Sequence, residues 1–180
     1  MRLIRNFSND KLNDDIEEFI QKWHKDTTLQ SHTSGSTGKP KIIDHKKHYV
    51  EASAKATLNH FSVKKGSTAL LCLGIDSIAG KMMIIRSIVG KLNLIVGPIS
   101  SRPLKDLDHE INFVAMVPMQ LESSIEHDLG SLRKIQTILV GGAPISNALE
   151  QKIIIEKLPV FQTFGMTETI SHVAVLSIRE

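Results

Sequence analysis

The sequence predicts an α/β protein with a largely parallel sheet that is covered by helices on both faces. Two observations lead to this prediction. Short, continuously apolar runs alternate with helix-like segments from residue 68 onward, and polar, glycine-bearing loops follow several of these runs. Strands that are buried on both faces are apolar at nearly every position, and their alternation with helices is typical of parallel sheets.

The composition is that of one globular domain and narrows the classes of ligand. A chain of 180 residues with 41% hydrophobic and 23% charged residues can bury a sizeable core. The net charge of +3 suits anionic small molecules, while only 4% aromatic residues disfavour a stacking surface for nucleic acid. The single cysteine, Cys72, excludes an intrachain disulfide, and no segment resembles a signal peptide or a membrane span. We therefore expect a cytoplasmic protein that neither binds nucleic acid nor inserts into a membrane.

The first third of the sequence predicts two helices and a strand. Residues 10–25 are predicted to form an amphipathic helix, because apolar residues recur at helical spacing opposite a charged face. Residues 27–32 are predicted to be a strand that leads into a polar loop at 33–41. An extended piece at 41–44 and a second helix at 46–61 follow.

From residue 68 onward, strands and helices alternate. The predicted strands are 68–73, 92–96, 113–117, 135–140, 159–163 and 172–178, and the predicted helices are 78–89, 119–127 and 146–157. In such sheets ligands bind beyond the carboxyl ends of the strands, which meet at one edge. Three glycine-bearing loops that follow strands, at 33–41, 141–144 and 164–169, are therefore expected to converge on one nucleotide site.

The loop at 33–41 is suited to wrap an anion. It contains four hydroxyl side chains, two glycines and two lysines, namely Thr33, Ser34, Gly35, Ser36, Thr37, Gly38, Lys39 and Lys41. Glycines let the backbone come close to a ligand, consecutive N–H groups can form an anion-binding nest, and hydroxyls and lysines can bind phosphate oxygens. The spacing of Gly35 and Gly38 differs from that of a Walker A loop. The alternative interpretation is a solvated linker between strands.

The other two loops supply a carboxylate and a turn of small residues. Glu168 could coordinate Mg²⁺ together with substrate phosphates, Thr167 could hydrogen-bond a phosphate, and Phe164 offers an apolar face for a purine. The turn Gly141-Gly142-Ala143-Pro144 is small enough for a planar ring to lie against its backbone. Taken singly, Glu168 also fits a surface charge, Phe164 a core residue, and the turn a simple connection to a helix capped by Ser146.

Together these motifs resemble those of the acyl-adenylate-forming superfamily, which includes acyl-CoA synthetases, luciferases and adenylation domains. Residues 33–41 look like its phosphate loop, residues 164–168 look like its aromatic-Gly-x-Thr-Glu motif, and residues 141–144 are similar to its adenine-binding turn. The resemblance implies part of the large N-terminal domain of an adenylate-forming enzyme. Residues 1–26 would be an N-terminal helical segment, and residues 27–180 would be the α/β nucleotide-binding part.

The resemblance also implies a role for each motif. The phosphate loop would bind the β- and γ-phosphates of ATP, Thr167 would bind the α-phosphate, and Glu168 would hold Mg²⁺. Gly142, Ala143 and Phe164 would frame adenine. The nucleotide site would further include Gly141, Pro144, Gly165 and Met166.

A finer resemblance is to the o-succinylbenzoate–CoA ligases of menaquinone biosynthesis. It rests on residues 78–83, on residues 167–174 and on the short segment before the phosphate loop. It implies that o-succinylbenzoate reacts with ATP to give an acyl-adenylate, which coenzyme A then converts to a thioester. The alternatives are a ligase for another carboxylic acid, fatty or aryl, and a non-catalytic ATP- or AMP-binding module. The oligomeric state is open, with a homodimer as one option.

The sequence departs from the family pattern at several positions. Ile42 stands where a glycine is usual, Phe164 replaces a tyrosine, and Ser77 takes the place of a frequent histidine. No Tyr-x-Thr-Gly-Asp motif and no C-terminal lid domain with its catalytic lysine follow before Glu180. We therefore expect these 180 residues alone to be inactive or weakly active.

The sequence also offers candidates for an acyl pocket and for a zinc site. The residues predicted to line the acyl pocket are Ser77, Met116, Val117 and Met119. His45 and His48 stand three residues apart, but no cysteine or carboxylate completes a set of zinc ligands near them.

Overall fold

The structure, a computed structural model, describes residues 1–5, 10–33 and 41–179 of the chain. The described elements are, in chain order, β1 (Arg2–Arg5), α1 (Asp10–Lys25), β2 (Thr28–His32), β3 (Ile42–Lys46), α2 (Lys47–His60), β4 (Thr68–Leu71), α3 (Ile78–Gly90), β5 (Asn93–Val96), β6 (Phe113–Met116), α4 (Pro118–His127), α5 (Leu129–Leu132), β7 (Thr137–Val140), α6 (Asn147–Ile155), β8 (Val160–Gly165), a 3₁₀ turn (Thr167–Thr169) and β9 (His172–Ser177). Every helix and strand predicted from the sequence lies within two residues of an observed one. The sequence analysis did not predict β1, α5 or the 3₁₀ turn, each of which is too short to show a periodic pattern.

A seven-stranded sheet in the order β1-β5-β4-β6-β7-β8-β9 forms the centre of the protein. All neighbouring strands in it are parallel except β8 and β9, which are antiparallel. The predicted α/β class with a largely parallel sheet is therefore confirmed. The carboxyl ends of β4, β6, β7 and β8 meet at one edge of this sheet.

The central strands are apolar throughout because both of their faces are buried. Side chains alternate between the faces of a sheet, and Leu70 and Ile95 belong to one buried cluster whereas Leu71 and Leu94 belong to another. The helices that cover the first face are α4 and α6, and those that cover the second are α1 and α3. They contribute Leu121, Leu149 and Ile153 to the first cluster and Leu12, Ile16, Met83 and Ile84 to the second.

The route by which the loop at 33–41 reaches the site differs from the sequence prediction. The expected convergence of the three loops assumed that their strands are parallel, but β2 pairs with β3 as a separate antiparallel hairpin. The physical reason is that β2 has one covered face, with Leu29 and Ser31 buried between exposed neighbours. A strand at the centre of a parallel sheet would bury consecutive residues instead.

Among the described helices, none has both the length and the apolar composition that crossing a bilayer requires.

Candidate functional site

A cavity of about 1080 Å³ lies at the edge of the sheet where the carboxyl ends of β4, β6, β7 and β8 meet. The segments that follow these four strands line it, together with both ends of the β2–β3 hairpin loop and the first three turns of α3. Residues from all three predicted loops therefore line one cavity, at 33 and 41, at 141–142 and at 165–168.

The described ends of the hairpin loop are joined by two hydrogen bonds. The Thr33 amide donates to the Lys41 carbonyl oxygen at 2.9 Å, and the Lys41 amide donates to the Thr33 hydroxyl at 3.3 Å. Both residues line the cavity, and His32 lines it beside them. The remaining predicted phosphate ligands lie outside the described residues and stay predictions: Ser34, Gly35, Ser36, Thr37, Gly38 and Lys39.

The Gly141-Gly142 turn brings bare backbone to the cavity wall. A Cβ atom on Gly141 would lie 2.5 Å from the Thr163 hydroxyl, which donates to the Val140 carbonyl oxygen. Gly142 has a φ of +83°, which side chains rarely adopt. The turn therefore needs glycine at both positions, and it leaves a flat surface against which a planar ring could lie.

Two further predicted nucleotide residues of this turn are exposed and lie outside the cavity wall. These are Ala143 and Pro144. The helix that follows begins as predicted, because the Ser146 hydroxyl accepts a hydrogen bond from the Leu149 amide at 3.2 Å.

The third loop forms a tight turn that places Thr167 and Glu168 on the cavity wall. The Thr169 hydroxyl accepts from the Met166 amide at 3.1 Å and donates to the Ser171 carbonyl oxygen at 2.7 Å. Gly165 is packed so closely against this return that a Cβ atom would lie 2.3 Å from the same carbonyl oxygen. The turn is therefore held by its own residues and presents a hydroxyl and an exposed carboxylate together.

Phe164 does not line the described cavity, unlike its neighbours Gly165 and Met166. Its side chain is 64% exposed, because successive residues of β8 point to opposite faces and Thr163 takes the face toward Val140. A contact between Phe164 and adenine stays a prediction.

Sequence reasoning missed a buried cation, Arg86, on the cavity wall. Arg86 is 3% exposed, and its Nη2 donates to the Ser171 hydroxyl at 2.5 Å. Its Nε has no hydrogen-bond partner, and no described carboxylate forms an ion pair with it. Burial lowers the pKa of Arg86 to about 10, so the guanidinium stays charged at neutral pH. The available signal was its position as the one charged residue within helix α3 after Lys81.

His172 is a second cavity residue that sequence reasoning missed. Its Nδ1 lies 3.4 Å from the Ser171 hydroxyl, and its Nε2 lies 3.4 Å from the Thr57 hydroxyl. Burial, followed by the charges of Arg86 and His60, lowers the pKa of His172 to about 4. The imidazole is therefore neutral at pH 7.

Three of the four predicted acyl-pocket residues line the cavity, namely Ser77, Met116 and Val117. The fourth, Met119, is 64% exposed on α4 and lies outside the cavity wall. Ser77 is occupied as the N-cap of α3, where its hydroxyl accepts from the Gly80 amide at 3.0 Å and donates to the Gly74 carbonyl oxygen at 2.7 Å.

Two groups of lining residues differ in chemical character, and we name each group for use below. The nucleotide region, as we name it, consists of hydroxyls, glycines and charges: Thr33, Lys41, Gly141, Gly142, Thr167 and Glu168. The acyl region is apolar apart from the hydrogen-bonded group around the guanidinium: Ile78, Met82, Arg86, Met116, Ser171 and His172. Such a wall suits an elongated ligand that is polar in one part and mostly apolar in the other.

Comparison with known proteins gives a consistent result. A family model described as "AMP-binding enzyme" matches residues 6–180. Among solved structures, the chain is similar to an acyl-CoA synthetase (AMP-forming)/AMP-acid ligase II-like protein from Dyadobacter fermentans, with 38% identity and a TM-score of 0.87 over 96% of this chain and 51% of that one. It is also similar to o-succinylbenzoate coenzyme A synthetase from Bacillus subtilis in complex with ATP and magnesium ion, with 27% identity and a TM-score of 0.74 over 83% of this chain and 32% of that one.

A curated relative is the 2-succinylbenzoate–CoA ligase of Bacillus subtilis strain 168. It is 29% identical over 168 residues, which cover 91% of this chain and 34% of that protein. The chain thus spans about a third of the length of the curated relatives that it matches.

Proposed function

This chain belongs to the AMP-binding enzyme family, and on that premise we propose that its cavity activates o-succinylbenzoate with ATP for transfer to coenzyme A. The observation that carries the proposal is the buried guanidinium of Arg86 on the wall of the acyl region, which forms no ion pair with any described carboxylate. The similarity to 2-succinylbenzoate–CoA ligases supports the choice of acid.

The nucleotide region would bind ATP through groups that suit its parts. Thr33, Lys41 and the loop between them would bind the β- and γ-phosphates, since hydroxyls, amides and ammonium groups all donate to phosphate oxygens. Thr167 would donate to the α-phosphate. Adenine would lie against the backbone of Gly141 and Gly142, where no side chain intervenes.

Glu168 fits a magnesium site that is completed by the substrate. Its exposed carboxylate lines the cavity, and no cluster of three or more potential ligands occurs among the described His, Cys, Asp and Glu residues. Mg²⁺ usually takes one or two carboxylates together with phosphate oxygens and water. When bound there, the ion would neutralise phosphate charge.

The acyl region would discriminate between acids by their second charge. o-Succinylbenzoate carries two carboxylates, of which one is activated and the other stays ionised. Arg86 lines the cavity, so its guanidinium could receive the second carboxylate, and Met82 and Met116 could pack against the ring. A fatty acid has no group to neutralise this guanidinium, so the buried charge would remain uncompensated.

The proposed reaction has two steps. In the first, a carboxylate oxygen forms a bond to the α-phosphorus while the bond from that phosphorus to pyrophosphate breaks. In the second, the thiolate of coenzyme A attacks the acyl carbon, and the bond from that carbon to AMP breaks. Thr33, Lys41 and Thr167 would orient the triphosphate in the first step, and placement of the reactants accounts for much of the barrier lowering in such transfers.

The proposal assigns residues 27–180 to the nucleotide- and acyl-binding part, whereas the predicted N-terminal helical segment at 1–26 contains α1 and also β1, an edge strand of the same sheet. The involvement of coenzyme A comes from the similarity to the named ligases, and no residue of this chain is assigned to it. The cytoplasmic location, the weak activity of the 180 residues alone and the homodimer stay predictions from the sequence.

The test is a thermal-shift measurement with non-hydrolysable acyl-adenylate analogues. One analogue carries the o-succinylbenzoyl group and the other a long fatty acyl group. A ligand at 100 times its Kd stabilises the folded chain by about 2.7 kcal/mol. We expect this stabilisation only with the o-succinylbenzoyl analogue. Equal stabilisation by both analogues would contradict the choice of acid, and no stabilisation by either would contradict the assignment of the cavity.

A further inference from the structure

A chain of hydrogen bonds runs from the guanidinium in the acyl region to helix α2. Arg86 Nη2 lies 2.5 Å from the Ser171 hydroxyl, and that hydroxyl lies 3.4 Å from His172 Nδ1. On the other side of the ring, His172 Nε2 lies 3.4 Å from the Thr57 hydroxyl, which lies 3.1 Å from the Ser53 carbonyl oxygen. The two ends of this series, Arg86 and Thr57, are each 3% exposed, whereas Ser171 and His172 are partly buried on the cavity wall.

Because the His172 ring is neutral at pH 7, this series of contacts allows one arrangement of donors and acceptors. A guanidinium can only donate, so Ser171 accepts from Arg86 and has its own proton left for His172 Nδ1. The Ser53 carbonyl oxygen can only accept, so Thr57 donates to it and has a lone pair left for His172. His172 therefore accepts at Nδ1 and donates at Nε2, which is the neutral imidazole with its proton on Nε2.

From this geometry we propose that His172 is a positioning residue for Arg86. By accepting the Ser171 proton, His172 turns the serine lone pairs toward the guanidinium and fixes its Nη2 end. The guanidinium of Arg86, which belongs to a residue on the cavity wall and whose buried Nε has no partner within the described residues, is then held in one position. The effect on the acyl substrate rests on the proposed function, whereas the effect on Arg86 itself does not.

The proposal assigns the selectivity for an acidic acyl group to a group of residues rather than to Arg86 alone. An arginine side chain has several rotatable bonds, and a contact with a ligand is weakened by the entropy lost in fixing them. Ser171 and His172 fix Arg86 before the ligand arrives. Thr57 anchors His172 to α2, so a change at this position is transmitted to the acyl region through a ring that need not touch the ligand.

The experiment uses the full 180-residue chain and two substitutions at one position. His172→Leu removes both hydrogen-bonding atoms, whereas His172→Gln supplies an amide oxygen and an amide N–H that can take over both contacts. His127→Leu is the matched control, because His127 is exposed on α4 and its one hydrogen bond to a described residue is with the Ser123 carbonyl oxygen. The first readout is the NMR signal of the Arg86 Nε–H without ligand. The second is the affinity for the o-succinylbenzoyl adenylate analogue relative to its methyl ester, which lacks the second negative charge.

We expect His172→Leu to shift or broaden the Arg86 Nε–H signal and to weaken binding of the charged analogue by about tenfold, the effect of losing one hydrogen bond near a charged group. Binding of the ester should change by less than about twofold, since it makes no ionic contact. His172→Gln should restore both readouts, and His127→Leu should alter neither. An unchanged Arg86 signal in His172→Leu would overturn the proposal.

The two proposals can fail separately in this experiment. If the wild-type chain binds both analogues equally and His172→Leu still moves the Arg86 signal, the choice of acid is wrong and the positioning role stands. If the wild-type chain prefers the charged analogue and His172→Leu keeps that preference, the positioning role is wrong. Ser171→Ala provides the same test if the leucine variant does not fold, because it removes the hydroxyl that joins the two side chains.

Discussion

Replacing Arg86 with methionine separates the stability of the folded chain from the affinity of its cavity. Methionine keeps an unbranched side chain of similar length and removes the charge. Burial lowers the pKa of Arg86 from 12.5 to about 10, which corresponds to a desolvation cost of roughly 3 kcal/mol at about 1.4 kcal/mol per pKa unit. The substitution removes this cost and also removes the bond to Ser171, which is worth about 1.5–3 kcal/mol as a hydrogen bond to a charged group.

These two terms have similar size and opposite sign. We therefore expect the free energy of unfolding of Arg86→Met to lie within about 2 kcal/mol of the wild-type value, although a fully buried side chain has been changed. Affinity should respond differently, because the variant loses a charge-assisted contact with the second carboxylate. A loss of about 1.5–3 kcal/mol corresponds to roughly 10- to 150-fold weaker binding of the o-succinylbenzoyl adenylate analogue.

The assay combines urea denaturation with calorimetric titration of the charged analogue and its methyl ester. Arg133→Met is the matched control, since Arg133 pairs with Glu156 on the surface, away from the cavity. This control should bind both analogues like the wild-type chain. Equal losses for the two analogues in Arg86→Met, or affinity for the charged one that is unchanged, would refute the assignment of Arg86 to the acyl carboxylate.

Two further predictions concern the tight turn and the effect of pH. Gly165→Ala should lower the free energy of unfolding by about 1–3 kcal/mol and weaken AMP binding, because a Cβ atom would lie 2.3 Å from a backbone carbonyl oxygen. Gly130→Ala, with nothing within 4 Å of its Cβ position, should be neutral or stabilising in the same urea titrations. Burial, Arg86 and His60 lower the pKa of His172 from 6.5 to about 4. The unfolded chain therefore binds the extra proton first, and the stability that the neutral ring contributes is complete above pH 6.5 and is lost as pH falls from 6.5 toward 4. His172→Gln should flatten this part of the stability profile, by less than the full pKa shift would give because the ring is only partly buried, and an identical pH dependence in both chains would count against the neutral ring.

The central sheet could be predicted from the sequence because its burial leaves a direct mark on composition. Residues 69–71 and 94–96 are buried at every position, and a continuous apolar run is what such burial requires. The carboxyl edge of the sheet, and with it the place of Gly141 and Thr167, followed from the order of strands and helices. The start of α6 could also be predicted, because the serine hydroxyl of Ser146 is a typical N-cap.

The hairpin of β2 and β3 could not be deduced in the same way. Residues 27–32 are long enough for a strand of the main sheet, and no local pattern states which strand they pair with. The pairing of Leu29 with His45 and of Ser31 with Ile43 joins residues on either side of the 33–41 loop. Packing against the rest of the fold therefore determines which strand pairs with residues 27–32.

The hydrogen-bonded residues of the acyl region could not be predicted from the sequence for a related reason. Arg86 reads as an interruption of an apolar helix, and Ser171 and His172 read as the start of a strand. Only the fold brings the helix and the strand together at 2.5 Å, across 85 positions of sequence. The exposure of Phe164 and Met119 was likewise a matter of which face each residue presents, which residue type alone does not determine.

The most direct test of the whole account is an NMR titration of the 180-residue chain, first with AMP and then with the o-succinylbenzoyl adenylate analogue. AMP should shift the amide signals of Gly142, Gly165 and Thr167 and leave the Arg86 side chain unchanged. The complete analogue should shift the same amides and also the Arg86 Nε–H signal. Shifts confined to the smaller cavity beside Leu104 and Ile135, or no shifts at saturating ligand, would contradict the assignment of an acyl-adenylate to this site.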